Sequence, residues 1–163
     1  MSDIIRPVRA DELAAVGTLL REYAATLPDI LGMPDFEVEL QQLPGVYAPP
    51  RGALLVVVRE DQLGGMVALR PFESDICEMK RLYLRPAWRG SGAGRWLVAA
   101  VIQAGRDAGY RRMRLDTLPT MPAARRLYAE FGFQPIPPYG HHPVPETEFL
   151  ELVLTQSLLR DMV

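Results

Sequence analysis

An apolar strand that runs directly into a glycine-rich loop, and from there into an amphipathic helix, constrains this chain more than any other feature. The strand ends at Leu84, the loop contains Gly90, Gly92 and Gly94, and apolar residues then recur at helical spacing over positions 96–104. Such a loop points successive backbone N–H groups at one place, and the start of the helix adds positive potential there. The pattern therefore predicts an anion-binding site of the kind that holds a pyrophosphate.

Three types of phosphate-binding loop can be compared with this segment. A P-loop requires Lys and then Ser or Thr after its last glycine, but Gly94 is followed by Arg95. A dinucleotide-binding loop requires Gly-x-Gly-x-x-Gly, and its last glycine position holds Arg95 or Leu97 here. A third pattern, Arg-x-x-Gly-x-Gly after an apolar strand, is met by Arg89, Gly92 and Gly94. A glycine-rich turn that only caps the helix is the simpler alternative.

The spacing of apolar residues divides the rest of the chain into short strands and helices. A strand–helix–strand unit around the glycine loop predicts locally parallel strands, and the other strands follow one another as meanders. We therefore predict an α/β fold in a single domain over residues 1–163, with a mixed, mostly antiparallel central sheet of about six to seven strands and helices on both faces. The predicted strands are 4–9, 53–59, 64–71, 76–84, 112–117, 133–136 and 147–156, and the predicted helices are 13–27, 35–43, the segment from the glycine loop to Gly109, and 122–131.

The composition excludes several classes of protein. With 48% hydrophobic and 23% charged residues over 163 positions, the chain is neither disordered nor fibrous. Its net charge of -2 gives no general attraction to nucleic acid or to an anionic membrane. The single cysteine, Cys77, cannot form an intrachain disulfide. Because the start lacks a signal-peptide pattern and no apolar run reaches roughly 20 residues, we expect a cytoplasmic protein without a membrane partner.

A second motif follows the next predicted strand. Residues 123–133 contain the pair Leu127-Tyr128 and end in Gly132-Phe133. Together with the glycine loop, in this order and at this separation, the segment resembles the GNAT superfamily of N-acetyltransferases. The order of strands and helices is similar to that family over nearly the whole chain. The resemblance implies a GNAT-like fold, acetyl-CoA as the cosubstrate and no metal.

The resemblance also implies where the cosubstrate lies. Its pantetheine arm would pair with backbone groups of Leu82, Tyr83 and Leu84, and the Leu84 amide would be an oxyanion donor. This strand would be splayed from its parallel neighbour, residues 112–117, so that the thioester enters the gap. The pyrophosphate would sit on the loop amides. The implied cofactor-binding residues are Leu82, Tyr83, Leu84, Arg89, Gly90, Ser91, Gly92, Ala93, Gly94 and Arg95.

Two residues carry the implied acid and base chemistry. Glu78 lies on the strand before the loop, where the family often keeps its base; alternatively, it is an exposed strand residue paired with Lys80 or Arg81. Tyr128 aligns with the family's tyrosine that protonates the CoA sulfur; alternatively, its ring only packs in the core. Met121 departs from the family pattern, which often has Asn there, so an apolar surface replaces a polar cofactor contact.

Five further residues have two interpretations each. His141 and His142 lie in a proline-rich loop before the last predicted strand, where they either border the substrate mouth or are simply exposed. Tyr23, Leu27 and Phe36 belong to the first two helices, where they either line the acceptor pocket or pack in the core.

The sequence thus predicts an enzyme that transfers an acetyl group from acetyl-CoA to a primary amine of a small molecule or peptide. The amine would attack directly within a ternary complex, without an acyl-enzyme. A non-catalytic acyl-CoA-binding sensor or interaction module is the alternative from a different class. A nucleic-acid-binding domain is disfavoured by the net charge and the lack of a base-reading motif. The resemblance leaves a homodimer open.

Overall fold

The computed structural model describes residues 3–27, 33–140 and 144–154, and its strands form one seven-stranded sheet in the order β1-β2-β3-β4-β5-β7-β6. The strands are β1 (Ile4–Pro7), β2 (Ala53–Arg59), β3 (Gln62–Glu73), β4 (Ile76–Leu84), β5 (Arg112–Thr117), β6 (Gln134–Ile136) and β7 (Glu148–Val153). The α-helices are α1 (Leu13–Ala25), α2 (Met33–Gln42), α3 (Ala93–Asp107) and α4 (Pro122–Glu130).

Strand direction follows the prediction from the sequence. In the described sheet β4 and β5 are the one parallel pair, and all other neighbours are antiparallel. Parallel neighbours require a long crossover connection, which is supplied here by α3. The prediction of a mixed, mostly antiparallel sheet is therefore confirmed.

The hairpin between β2 and β3 is tighter than the sequence analysis predicted. The predicted turn spans four positions, but the observed turn contains only Glu60 and Asp61, whose φ angles are 50° and 68°. Positive φ at both central residues is the geometry of a type I′ turn, which matches the twist of the flanking strands. As a result, β3 begins at Gln62 and is longer than expected.

Helices cover both faces of the sheet, as predicted. One apolar cluster joins the buried face of α3 to β2, β3, β4 and β5, and α4 adds Tyr128 to it. A second cluster on the other face contains Val16, Leu19 and Leu20 of α1 together with alternate residues of β2 and β3. Among the described helices, none combines the length and the apolar character that crossing a membrane requires.

A bulge changes the side-chain alternation along β4. Cys77 and Met79, at odd positions, belong to the cluster under α3, and Leu82 and Leu84, at even positions, pack against the same cluster. Arg81, between these two pairs, has a φ of 62°, and the pairing register with β3 shifts at the same place. One extra residue in a strand bends it and increases its twist. The second half of β4 therefore runs in a different direction from the first.

The start of the glycine loop is fixed by a close contact between Gly64 and Trp88. Trp88 is buried, and a Cβ atom added at Gly64 would overlap the indole ring. The Trp88 carbonyl also accepts a hydrogen bond from the Ser91 hydroxyl at 2.7 Å. The absence of a side chain at position 64 thus lets the loop approach the sheet.

We expect Gly64→Ala to lower the free energy of unfolding by about 1–3 kcal/mol, because the added methyl group overpacks the site. Gly140→Ala is the matched control, since nothing in the described structure lies within 4 Å of a Cβ there. Its effect should stay within about 0.5 kcal/mol. Urea unfolding of both variants measures the difference, and equal stabilities would contradict the proposed role of the Gly64–Trp88 contact.

Candidate functional site

A cleft opens in the middle of the sheet where β4 and β5 separate. The two strands pair only between Ile76–Glu78 of β4 and Arg112–Arg114 of β5. Beyond this segment lies a cavity of about 300 Å³. Its wall consists of side chains from both helical layers and both strands, namely Tyr23, Leu27, Phe36, Met79, Lys80, Arg81, Leu82, Leu115, Asp116, Thr117, Leu118, Met121, Ala124 and Tyr128.

The edge of β4 that faces this cleft offers backbone groups to a ligand. The Arg85 amide donates to the Gly64 carbonyl at 2.8 Å, which identifies these two opposed residues as a hydrogen-bonded pair. Hydrogen-bonded and non-hydrogen-bonded pairs alternate in an antiparallel ladder. The backbone of Leu84 therefore points away from β3 and towards the cleft, as does that of Leu82. Tyr83, which was predicted beside them, directs its backbone groups to β3.

The glycine loop adopts a conformation that requires glycine at two positions. Gly90 and Gly92 have φ angles of 79° and 90°, in the region that residues with a Cβ rarely adopt. Gly92 is the N-cap of α3, and the first helical hydrogen bond runs from the Trp96 amide to the Gly92 carbonyl. The amides of Ala93, Gly94 and Arg95 thus lack intrahelical acceptors, and they carry the positive end of the helix dipole.

The two loop arginines have partners within the protein. The Nε of Arg89 donates to the Leu84 carbonyl at 3.0 Å, which ties the loop back to the end of β4. Arg95 forms an exposed ion pair with Glu130 of α4. The predicted binding of an anion therefore depends first on the backbone amides of the loop. Each arginine would have to give up its present partner to contact a phosphate.

Tyr128 is packed in the core and also borders the cavity, so its position is compatible with both interpretations from the sequence. Its ring is 6% exposed and meets the ring of Phe133 edge-on, with 5.8 Å between centroids. It also forms part of the cavity wall. Burial raises the pKa of the Tyr128 phenol above its ordinary value of 10.0, so the group holds its proton at neutral pH.

Glu78 is buried, in contrast to the alternative of an exposed strand residue. Its Oε2 accepts a hydrogen bond from the Tyr139 hydroxyl at 2.8 Å, and its Oε1 lies 3.8 Å from Nε of Arg70. The ring of Tyr139 is held in turn between Phe72 and Phe149, each at 5.0 Å between centroids. Glu78 stands at the last paired position of β4 and is not part of the cavity wall, which begins at Met79.

Two ion pairs lie at the wall of the cavity on the side of α1 and α2. Arg81 donates to both carboxylate oxygens of Glu39, at 3.0 and 2.8 Å. The Nζ of Lys80 lies 3.7 Å from Oδ1 of Asp116, across the gap between β4 and β5. Lys80 and Arg81 were alternative predicted partners of Glu78, but the ion pairs of the described residues join them to Asp116 and Glu39 instead.

The remaining predicted residues fall in three places. Tyr23, Leu27 and Phe36 lie in the cavity wall, where Met121 adds an apolar surface. His141 and His142 lie outside the described residues. Burial raises the pKa of the Cys77 thiol to about 12, as suits a core residue. Over residues 3–27, 33–140 and 144–154, no three His, Cys, Asp or Glu side chains lie together as a metal site would require.

Most of the chain is similar in sequence to known acetyltransferases. Residues 17–133 match the profile of the family described as "Acetyltransferase (GNAT) family". An uncharacterised N-acetyltransferase of Schizosaccharomyces pombe is 39% identical over 140 residues, which are 85% of this chain and 86% of the relative. This chain belongs to the GNAT acetyltransferase family.

Solved structures of this family share the fold. The PaiA N-acetyltransferase of Thermoplasma acidophilum, in complex with coenzyme A, superposes with a TM-score of 0.73 at 20% identity over 94% of this chain and 99% of that chain. A Salmonella typhimurium structure with its cofactor acetyl-CoA gives a TM-score of 0.67 at 21% identity, covering 94% and 95% of the two chains. The splayed sheet described above is therefore a GNAT sheet, and the chain is an N-acetyltransferase by family.

Two features of the candidate site, the contact of Tyr139 with Glu78 and the bulge at Arg81, were not predicted from the sequence. Tyr139 contacts Glu78 across 61 positions of the chain, and nothing in the local pattern indicates this contact. The bulge at Arg81, however, had a visible signal. The apolar residues Cys77 and Met79 fall on odd positions, whereas Leu82 and Leu84 fall on even positions. A strand whose apolar face changes parity must contain an extra residue.

The pair of Arg81 and Glu39 generates a prediction about stability and pH. Burial alone would raise the pKa of Glu39, but the hydrogen bonds and charge of Arg81 outweigh it, and the net pKa lies below the ordinary value of 4.5. A carboxylate with a lowered pKa stabilises the fold above its ordinary pKa and loses that contribution as the pH falls. Glu39→Gln should therefore lower the free energy of unfolding at pH 7 by about 1–3 kcal/mol.

The difference between wild type and Glu39→Gln should shrink as the pH falls from about 4.5 through the lowered pKa of folded Glu39, because below that pKa Glu39 is protonated in both the folded and the unfolded protein. Glu37→Gln on the same helix is the control, since its ion pair with Arg21 is exposed and contributes little. Chemical denaturation over a pH series measures both variants. A Glu39→Gln effect no larger than that of Glu37→Gln would contradict the assignment.

Proposed function

We propose that this GNAT protein transfers an acetyl group from acetyl-CoA to a primary amine of a small molecule or peptide, by direct attack in a ternary complex. The observation that carries the proposal is the cleft between β4 and β5. It has an open backbone edge and the glycine loop on one side, and polar and aromatic side chains of both layers around the cavity. Two substrates can meet in such a gap without a covalent enzyme intermediate.

The cosubstrate would occupy the side of the cleft next to α3 and α4. Its pantetheine amides would pair with the backbone of Leu82 and Leu84, in the manner of an added strand. Its pyrophosphate would accept hydrogen bonds from amides between Gly90 and Arg95. The acetyl-CoA and coenzyme A in the Salmonella and Thermoplasma structures support this choice of ligand.

The chemistry needs a neutral amine, a donor for the oxyanion and a proton for the leaving thiolate. The amine nitrogen would bond to the thioester carbon, the bond from that carbon to sulfur would break, and the sulfur would take its proton from the Tyr128 phenol. The Leu84 amide would donate to the oxyanion. Glu78 is the proposed base and would accept the proton that the amine nitrogen loses. Because Glu78 is not part of the cavity wall, this proton would reach it through water, and Tyr139 orients its carboxylate through the hydrogen bond at 2.8 Å.

Replacing Tyr128 tests the acid. Tyr128→Phe should lower kcat by roughly 10²- to 10⁴-fold, because the thiolate leaves without a proton donor, while the Kd for acetyl-CoA changes little. Tyr110→Phe is the control. It removes a buried hydroxyl that donates to the Arg51 carbonyl at 2.7 Å, and Tyr110 is not in the cavity wall. The readouts are thiol release with the most active of a panel of primary amines and calorimetric titration with acetyl-CoA. Unchanged kcat in Tyr128→Phe would remove this residue from the mechanism.

Replacing Gly92 tests the cofactor loop. Gly92→Ala and Gly109→Ala place the same methyl group at φ angles of 90° and 89°, so each should cost about 1–2 kcal/mol of stability. Only Gly92→Ala should weaken acetyl-CoA binding, by about tenfold, because the loop amides would lose their alignment. Calorimetry on both variants gives the comparison. Equal acetyl-CoA affinities, or no acetyl-CoA binding by the wild type, would overturn the placement of the pyrophosphate.

The same titrations separate the alternative function. Acetyl-CoA binding without transfer to any amine would favour the acyl-CoA-binding sensor or interaction module. A cytoplasmic location and a homodimer stay predictions. The single cysteine is consistent with a reducing compartment, and sedimentation of the purified chain would determine its oligomeric state.

A further inference from the structure

We propose that the acceptor of this enzyme is an aminocarboxylate, and that Lys80 binds its carboxylate while the neighbouring amine is acetylated. This inference rests on the proposed function, since it concerns the second substrate of the same cleft. It names a positively charged residue of the cavity wall as the group that determines acceptor specificity.

Lys80 has an unusual position for a lysine. It is the one lysine of the chain, all the other basic residues apart from the two histidines being arginines. It lies on β4 just beyond the last residue pair with β5, its side chain is 19% exposed, and it forms part of the cavity wall. A lysine ammonium has three N–H donors and is costly to bury without partners. Such a group inside a substrate cleft is a candidate for ligand binding.

The ion pair of Lys80 leaves donors for a ligand. Its Nζ lies 3.7 Å from Oδ1 of Asp116, which is longer than a charge-assisted hydrogen bond. The ammonium is therefore held near Asp116 by charge rather than by a short hydrogen bond. A carboxylate that enters the cavity can accept hydrogen bonds from Lys80 without first displacing one to Asp116.

The neighbouring arginine is already committed to the protein. Arg81 donates two hydrogen bonds to Glu39, and its guanidinium lies over the Phe36 ring, 4.6 Å from the centroid. The carboxylate of Glu39 thus balances the charge of Arg81 and accepts both hydrogen bonds of one edge of its guanidinium. Among the described residues of the cavity wall, the other charged side chains are the ammonium of Lys80 and the carboxylate of Asp116.

A wall with one positive and one negative group favours a zwitterionic acceptor. An α-amino acid carries its ammonium and its carboxylate on the same carbon, so it can place the carboxylate at Lys80 and the amine on the side of Asp116. An acceptor that carries only amines would bring a like charge towards Lys80, which is unfavourable in a partly buried site. The apolar remainder of the acceptor would lie against Tyr23, Leu27 and Phe36, which share the cavity.

The experiment compares matched acceptors that differ only in the carboxylate. The probes are L-leucine and L-phenylalanine, their α-carboxamides, and the amines that correspond to their decarboxylation. Thiol release from acetyl-CoA and mass spectrometry of the acetylated product give kcat/KM for each. The wild type should prefer the carboxylate form by roughly ten- to a hundredfold, as for a hydrogen bond between charged groups. At neutral pH a larger fraction of the less basic carboxamide amines is neutral, so a preference for the amino acids over the carboxamides cannot arise from the protonation state of the amine.

Three variants locate the preference. Lys80→Met should abolish it by lowering kcat/KM for the amino acids and not for the amines, and Lys80→Arg should retain part of it. Arg111→Met is the control, because it removes an exposed cation just before β5 that is not in the cavity wall. Thermal unfolding verifies that each variant folds, and the wild-type ratio tests the inference even if Lys80→Met does not fold.

The outcomes for the inference and for the proposed function are distinct. Acetylation of the amines or carboxamides as efficiently as of the amino acids would overturn the inference and leave the proposed function intact. Acetyl-CoA binding without acetylation of any probe would also overturn it. An absence of both acetyl-CoA binding and transfer would overturn the proposed function itself. A preference that persists in Lys80→Met would show that Lys80 does not bind the carboxylate.

Discussion

The ion pair between Arg81 and Glu39 stabilises the bulge in β4, and the rest of the site depends on this bulge. Arg81 is the residue of positive φ in the β4 bulge, and Glu39 comes from α2 on one face of the sheet. A non-glycine residue in this conformation is strained and persists only where its surroundings fix it. The bidentate hydrogen bonds and the Phe36 ring supply that constraint. The pairing of β4 with β5 ends at Glu78, just before this bulge, so one helix residue and one strand residue together fix β4 at the place where the cleft opens.

A gap inside a sheet leaves backbone donors and acceptors without strand partners, which is unfavourable unless water or a ligand satisfies them. Here the gap coincides with the cofactor side of the proposed reaction. The glycine loop begins directly beyond it, and Trp88 against Gly64 and Arg89 against the Leu84 carbonyl fix its position. The same structural feature thus opens the cleft, exposes a strand edge and sets the distance to the start of α3, where we propose that the pyrophosphate binds.

The prediction from the sequence succeeded where the signal is local. The Arg89–Gly94 pattern, the start of α3 and the apolar run of β2 depend on residues a few positions apart, so the strands, helices and motif could be recognised. It was incomplete where contacts join distant segments. Tyr139 at Glu78, Asp116 at Lys80 and Glu39 at Arg81 lie on different elements, and their pairing depends on how the sheet is ordered.

The sequence by itself determined the order of elements, the mixed sheet and the family, because glycine loops, apolar periodicity and helix ends are set by the conformational preferences of neighbouring residues. Only the tertiary structure decided which charges meet in the cleft. A strand can carry Glu78, Lys80 and Arg81 with several choices of partner, and the sequence pattern around them is the same in each case. The partners are determined when α2, β5 and the loop at Tyr139 pack around β4. A buried charge without a partner raises the free energy of the folded protein, so each charge is paired with a specific group.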